Sequence, residues 1–101
     1  MPKIFEYLGI VIYFYSNEHE PIHIHAKKDN RESKASILMK DGVITEIIIQ
    51  EEKGRLPLEG KELKDLKEFL DVYAYRIVQK WIEYFVYGIN LNSETIQRKL
   101  K

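Results

Sequence analysis

The sequence predicts an α+β fold: an antiparallel meander of four or five strands with one long C-terminal helix packed on one face. In the first half of the 101 residues, segments rich in β-branched and aromatic residues alternate with a period of two. After residue 60 the apolar period becomes about 3.6, which indicates an amphipathic helix. We expect one domain over residues 1–88 and a short tail, residues 89–101, with a final helical turn that begins at Asn92 or Ser93.

The first two predicted strands are short and aromatic. Residues 4–8 form a mixed segment, and Gly9 supplies the break before residues 10–15, whose sequence is IVIYFY. Both faces of this second strand carry apolar or aromatic side chains, so we expect both to be covered, or one of them to form a binding surface. A polar loop, SNEHEP, follows.

The third predicted strand, residues 22–27, alternates cleanly between apolar and polar side chains. Its apolar side chains point to one face of the sheet, and His23, His25 and Lys27 point to the other. We expect the helix to cover the apolar side. The histidine-bearing side is then left on an open face or in an oligomer interface.

The clearest hairpin lies on either side of the sequence KDG, residues 40–42. A two-residue turn would set Ile37 opposite Glu46. A three-residue loop that ends in a left-handed Gly42 sets Ile37 opposite Thr45 and gathers the apolar residues on one face. We therefore favour the three-residue loop.

The helix is predicted over residues 60–85, after the connector EEKGRLPLEG, and Gly88 ends it. Its apolar residues recur at helical spacing and form one stripe, which consists of Leu63, Leu66, Leu70, Tyr73, Ile77 and Trp81. This stripe predicts the surface that packs on the sheet.

Composition restricts the classes of function. The chain has 16 basic and 16 acidic side chains, so no strong field attracts nucleic acid, and net charge gives no support to RNA as a partner. The absence of cysteine excludes disulfides and thiolate metal sites. The sequence shows no signal-peptide pattern and no apolar run of membrane-spanning length. We expect a cytoplasmic protein that does not enter membranes.

The histidine stretch EPIHIHAKK is compatible with a metal site. Residues i and i+2 of a strand project from the same face about 6.6 Å apart. From this spacing His23 and His25 can converge on one ion, with nitrogens about 2.0–2.1 Å from zinc. The third ligand would be His19, with Glu18 or Glu20 as substitutes. Zinc or manganese is the expected ion.

Two other interpretations remain open. Because histidine titrates near neutral pH, His23 and His25 could transfer protons as an acid–base pair in a small hydrolase such as a ribonuclease, with Lys27 stabilising negative charge. Alternatively, both histidines are ordinary polar residues that contact a partner or water. An exposed aromatic surface would also suit a homodimer.

Four stretches resemble a family of short bacterial proteins catalogued as domain of unknown function 4160: MPKIF, GIVIYFYSNEHEPIHIHAKK, LPLEGKELKDLKEFL and QKW. Members open Met-Pro-x-Ile, carry a Pro-x-His-x-His-Ala signature, and have a Leu-Pro before a long helix with a Trp near its end. Here the signature falls on Pro21, His23, His25 and Ala26. Ile22 stands where many members have a second proline, and the helix lacks a histidine that others carry.

The resemblance implies a compact α+β domain whose histidine stretch matters, and a partnership with a second small protein in a toxin–antitoxin-like two-gene module. We therefore expect binding to a cognate protein through the aromatic and histidine-bearing face; the alternative is the hydrolase. The candidate binding residues are Tyr13, Tyr15, His19 and Lys27, and the candidate catalytic residues are His23 and His25.

Overall fold

The computed structural model describes residues 2–14 and 22–100. Five strands form a meander: β1 (Lys3–Tyr7), β2 (Ile10–Tyr13), β3 (Ile22–Lys28), β4 (Arg31–Lys40) and β5 (Val43–Glu51). The helix α1 (Gly60–Trp81) follows, extends into a π-helical turn over Ile82–Val86, and leads to a last strand, β6 (Glu94–Ile96). The predicted α+β class is confirmed, as is the long helix against the sheet.

The six strands form one sheet in the order β5-β4-β3-β2-β1-β6. All neighbours in the meander are antiparallel, and β6 lies parallel to β1. This order places β3 in the interior of the sheet and β5 at an edge.

Within the described residues, no helix is both long enough and apolar enough to cross a membrane.

The core lies between α1 and one face of the sheet, and aromatic rings form its centre. The ring of Phe69 in α1 lies 5.2 Å from the ring of Phe5 and 5.5 Å from that of Tyr7, both in β1. It also stacks on Tyr73, one helical turn later, at 4.9 Å. Such pairs add about 0.5–1.5 kcal/mol each to the free energy gained from burial. The even residues of β3 pack into this core, with Ile24 completely buried.

The turn between β4 and β5 differs from the one that was expected. Asp41 and Gly42 have φ values of 53° and 80°, which is typical of a two-residue type I′ turn, so the predicted three-residue loop was wrong. A β-bulge at Thr45 then shifts the register, and Ile37 lies opposite Ile47. The bulge gathers the apolar residues on one face, as the longer loop had been expected to do.

The tail also differs from its prediction. Residues 94–96 form β6 beside β1 instead of a helical turn. The backbone N–H of Leu8 donates to the carbonyl of Ile96 at 3.2 Å, and the N–H of Leu100 donates to the Tyr7 hydroxyl at 3.0 Å. Ile96 and Leu100 pack on the core. The tail forms a strand because β1 offers it an unpaired edge, which a short segment does not reveal in its own sequence.

A buried carboxylate joins the tail to the helix. Asp65 of α1 is 1% exposed, and its two oxygens accept hydrogen bonds from Lys61 at 3.0 Å and from Lys99 at 3.1 Å. Burial alone raises the pKa of the Asp65 carboxyl, but the hydrogen bonds and charges of the two lysines outweigh it and hold the pKa below its usual value. Lys99 also contacts Glu68.

We expect this ion pair to give stability that depends on pH. A carboxylate whose pKa is lower in the folded state stabilises the protein above its unfolded pKa, and this contribution disappears as the pH falls through the folded pKa. At pH 7, Asp65→Asn should therefore lower the unfolding temperature by on the order of 5 °C. The difference from wild type should shrink below about pH 4. Thermal scans across pH would measure it, with the exposed Asp71→Asn as control; a difference independent of pH would contradict it.

Ile96 gives a test of the unexpected strand. Because its side chain is partly buried against the core, Ile96→Ala should lower the free energy of unfolding by about 1–2 kcal/mol, measured by urea denaturation. Ile89, which is 49% exposed, is the matched control, and Ile89→Ala should cost less than about 0.5 kcal/mol. Equal effects of the two substitutions would mean that β6 does not pack as described.

Candidate functional site

The alternation of β3 places its histidines away from the helix. β3 pairs with β2 on one side and β4 on the other, so its backbone is held at both edges. Ile24 and the other apolar residues point into the core, as predicted. We call the opposite side of the sheet the histidine face: it carries His23, His25 and Lys27 of β3 and Tyr13 of β2.

The histidine face is more buried than expected. His25 is 2% exposed and Tyr13 is 8% exposed, His23 is half-buried, and Lys27 is exposed. Tyr13 lies opposite His25 in the ladder, and their rings stack at 5.6 Å. The ring of His23 meets His25 edge-on at 5.7 Å. The prediction of an open face was therefore wrong for His25 and Tyr13, because neighbouring side chains cover them.

Two carboxylates approach the buried imidazole. Nδ1 of His25 lies 3.1 Å from Oε2 of Glu52 and 3.4 Å from Oε2 of Glu32. One ligand atom from each of the three residues lies within 4.8 Å of the others. The Glu32 side chain is 2% exposed and that of Glu52 is 24% exposed. We refer to His25, Glu32 and Glu52 as the His25 cluster.

Two features of the sheet bring the cluster together. A tight turn at Asp29, whose φ is 56°, pairs Lys28 with Arg31, and the ladder then sets Lys27 opposite Glu32. Glu32 therefore shares a face with His25 and lies diagonally from it. Glu52 comes directly after β5, whose last residue pairs with Ser33 next to Glu32. The cluster thus joins β3, the start of β4 and the end of β5.

The charges of the cluster are the main physical constraint on it. Two carboxylates lie beside one imidazole, Nε of Arg55 lies 3.9 Å from Oε1 of Glu32, and the ladder sets Lys34 opposite His25. Arg55 is half exposed, so water weakens its attraction. Taking carboxylates out of water costs several kcal/mol per ion unless positive charge compensates. Their closeness to one imidazole nitrogen makes this group a candidate for binding a small cation.

The sequence prediction found only part of this site. His23 and His25 were identified, but Glu32 and Glu52 were not, because their positions depend on the registers of two hairpins. A two-residue turn after Lys28 would have revealed Glu32. Tyr15 and His19, and also Glu18 and Glu20, lie outside the described residues.

A shallow cavity lies beside the cluster on the histidine face. Its volume is about 230 Å³, and Lys3, Val11, Tyr13 and Lys27 line it. His25 does not line this cavity. Among the described residues, the polar groups that could contact a molecule in the cavity belong to lysine and tyrosine. The cluster itself is closed by its burial, which favours binding of a small ion over contact with a large substrate.

One comparison with known proteins gives a match. The family model of Domain of unknown function (DUF4160) matches residues 9–82. No curated protein and no solved structure matches the chain. The matched region begins just before β2, ends just after α1, and contains the whole His25 cluster. The chain therefore belongs to the DUF4160 family.

Proposed function

We propose that this protein is a protein-binding domain, the partner of a second small protein in a toxin–antitoxin-like two-gene module, and that it binds through the edge of β5. The main observation in support of this edge is that β5 is a nine-residue strand at the end of the sheet, with three consecutive, partly exposed isoleucines, residues 47–49. The resemblance of the sequence supports the two-gene arrangement, and the edge supports the mode of binding.

The two edges of the described sheet differ in what they offer to a partner. One is β6, which has three residues and is too short to form many backbone hydrogen bonds with a partner strand. The other is β5, whose outer backbone groups are available for an added strand. Near its start, Ile44 donates its N–H to the Tyr75 hydroxyl at 3.0 Å, so α1 occupies that part of the edge. The available part is residues 46–51.

A groove accompanies this part of the edge. Its volume is about 550 Å³, and it lies between residues 46–49 of β5 and Lys67, Leu70 and Asp71 of α1. Ile47, Ile49 and Leu70 supply an apolar floor, and the charged residues form a rim. An apolar centre with a polar rim is the usual composition of a protein interface.

The charges around the groove indicate what kind of strand would occupy it. Glu46 and Glu51 are exposed near the two ends of the available edge, and Asp71 adds a third carboxylate. We therefore propose an apolar partner strand flanked by basic residues. A second copy of this chain fits less well, because antiparallel pairing centred near Ile48 brings Glu46 close to the Glu51 end of the other copy.

The histidine face plays a smaller part in this proposal than the sequence suggested. Because His25 and Tyr13 are buried, the described surface of this face includes Lys27, part of His23 and the rim of the small cavity rather than the imidazole of His25. Lys27 remains a candidate contact for the partner. Tyr15 and His19 stay predictions from the sequence.

A charge placed on the β5 edge should disrupt binding. Ile48→Lys puts an ammonium in the middle of the available edge, on the face away from α1, and we expect its affinity for the co-expressed cognate partner to fall at least tenfold. Val43→Lys is the matched control, since Val43 is exposed on the same strand but lies outside the groove. Titration of the purified partner by calorimetry would measure both affinities. Equal loss in the two variants, or none in Ile48→Lys, would exclude the edge.

A small hydrolase is a second candidate, favoured by the contact of His23 with His25 and by the carboxylates behind it. His25 is too buried to meet a large substrate, so half-buried His23 would exchange the proton and exposed Lys27 would stabilise negative charge.

The hydrolase makes a separate prediction. If the chain cleaves RNA, its induction should arrest bacterial growth, and His23→Ala should reduce cleavage by about 100-fold or more. Lys40→Ala, an exposed position at the far end of β4, should leave cleavage unchanged. Circular dichroism would first establish that both variants are folded. Growth arrest by His23→Ala as strong as by wild type would remove the histidine from any toxic mechanism.

A further inference from the structure

We infer that the His25 cluster is a binding site for one divalent transition-metal ion, with Nδ1 of His25 and one carboxylate oxygen each of Glu32 and Glu52 as ligands. The argument for this site does not use the β5 edge, and its ligand set differs from the one that the sequence suggested, with only His25 in common. Its three residues come from separate segments of the chain.

The distances suit a small ion. In a tetrahedral zinc site with ligands at about 2.0–2.1 Å, neighbouring ligand atoms lie about 3.3–3.4 Å apart. In the cluster, Nδ1 of His25 lies 3.4 Å from Oε2 of Glu32 and 3.1 Å from Oε2 of Glu52. Both distances are therefore close to the spacing of zinc ligands, and the third pair of ligand atoms, from Glu32 and Glu52, lies within 4.8 Å.

The hydrogen bonding of Glu52 provides a second, independent observation. Its Oε2 atom is buried, and it accepts no hydrogen bond from the described residues that satisfies ordinary geometry. A buried carboxylate oxygen without a donor is costly, on the order of 1–3 kcal/mol or more. This oxygen points towards Nδ1 of His25, so a cation between the two atoms would satisfy it.

Charge balance is compatible with the same conclusion. A divalent cation with a neutral imidazole and two ionised glutamates forms a neutral group, and a buried neutral group is far less costly than a buried charged one.

The ligand set indicates the class of ion. An imidazole nitrogen with two carboxylate oxygens suits zinc, iron, cobalt or manganese. Calcium is disfavoured because it takes about six to eight oxygen ligands at longer distances. With no cysteine in the chain, soft ions such as Cu(I) have no thiolate here. Zinc is the first choice, because its tetrahedral ligand spacing falls close to the two distances in the cluster.

A bound ion would link the start of β4 to the end of β5 through its ligands. Glu32 lies near the start of β4, and Glu52 lies just beyond the end of β5. An ion held between them and His25 would fix the end of β5 against the middle of the sheet. We therefore expect metal binding to raise the stability of the protein as well as to occupy the site.

The test uses the full chain after dialysis against a chelator. Zinc chloride is added at pH 7, and binding is followed by equilibrium dialysis and by the unfolding temperature. We expect one zinc per chain and a higher unfolding temperature, with both effects reversed by the chelator. Glu52→Gln, which removes a ligand charge at a partly exposed position, should weaken binding at least tenfold. Cobalt(II) should compete for the site and give a visible absorption spectrum that reports its coordination.

Two matched variants distinguish this site from unspecific binding. Glu51→Gln changes an exposed neighbour and should bind zinc as wild type does. His23→Gln removes the adjacent imidazole and should also retain one zinc. The inference is overturned if wild type binds no zinc, or if Glu51→Gln and Glu52→Gln lose it equally.

Discussion

The stacking of Phe69 against the rings of β1 and of Tyr73 decides which side of the sheet becomes the core. Once α1 is fixed there, the apolar residues of β3 must face it. The strict alternation of a strand then sends His23, His25 and Lys27 to the other side. The chemistry of that side is thus a consequence of hydrophobic packing on the first, and a one-residue slip of β3 would bury Lys27 in the core and expose Ile24.

Polar residues on the second face are not simply left in water. Tyr13 covers His25, and the hairpin registers bring Glu32 and Glu52 to the same imidazole. In a buried group of this kind each polar contact counts for more than it would in water. The β5 edge is different in character. At that edge a partner would be held by apolar contacts and by hydrogen bonds to the outer backbone groups, and the surrounding charges would select which partner binds.

Local patterns in the sequence predicted the elements that depend on local physics. The alternation of residues 22–27 and the helical stripe that includes Leu66 and Ile77 are each visible within one segment, so β3 and α1 were predicted correctly. The bulge at Thr45, the pairing of β6 with β1, and the position of Glu52 depend on which distant segments meet. Such pairings are decided by the summed packing of the whole sheet, which no single segment of the sequence records. This is why the imidazole of the candidate site was found and its carboxylates were not.

The pairing of β6 with β1 joins residues 94–96 to residues 5–7, almost the full length of the described chain. Bringing together the ends of so long a loop costs conformational entropy before the new contacts contribute any stabilising free energy. The meander and its helix can form from contacts between neighbours in sequence, whereas this last contact is strongly non-local, and contacts of this kind slow folding. During synthesis, the edge of β1 therefore stays exposed until the last strand has left the ribosome. In that interval β1, rather than the short β6, forms this edge of the sheet.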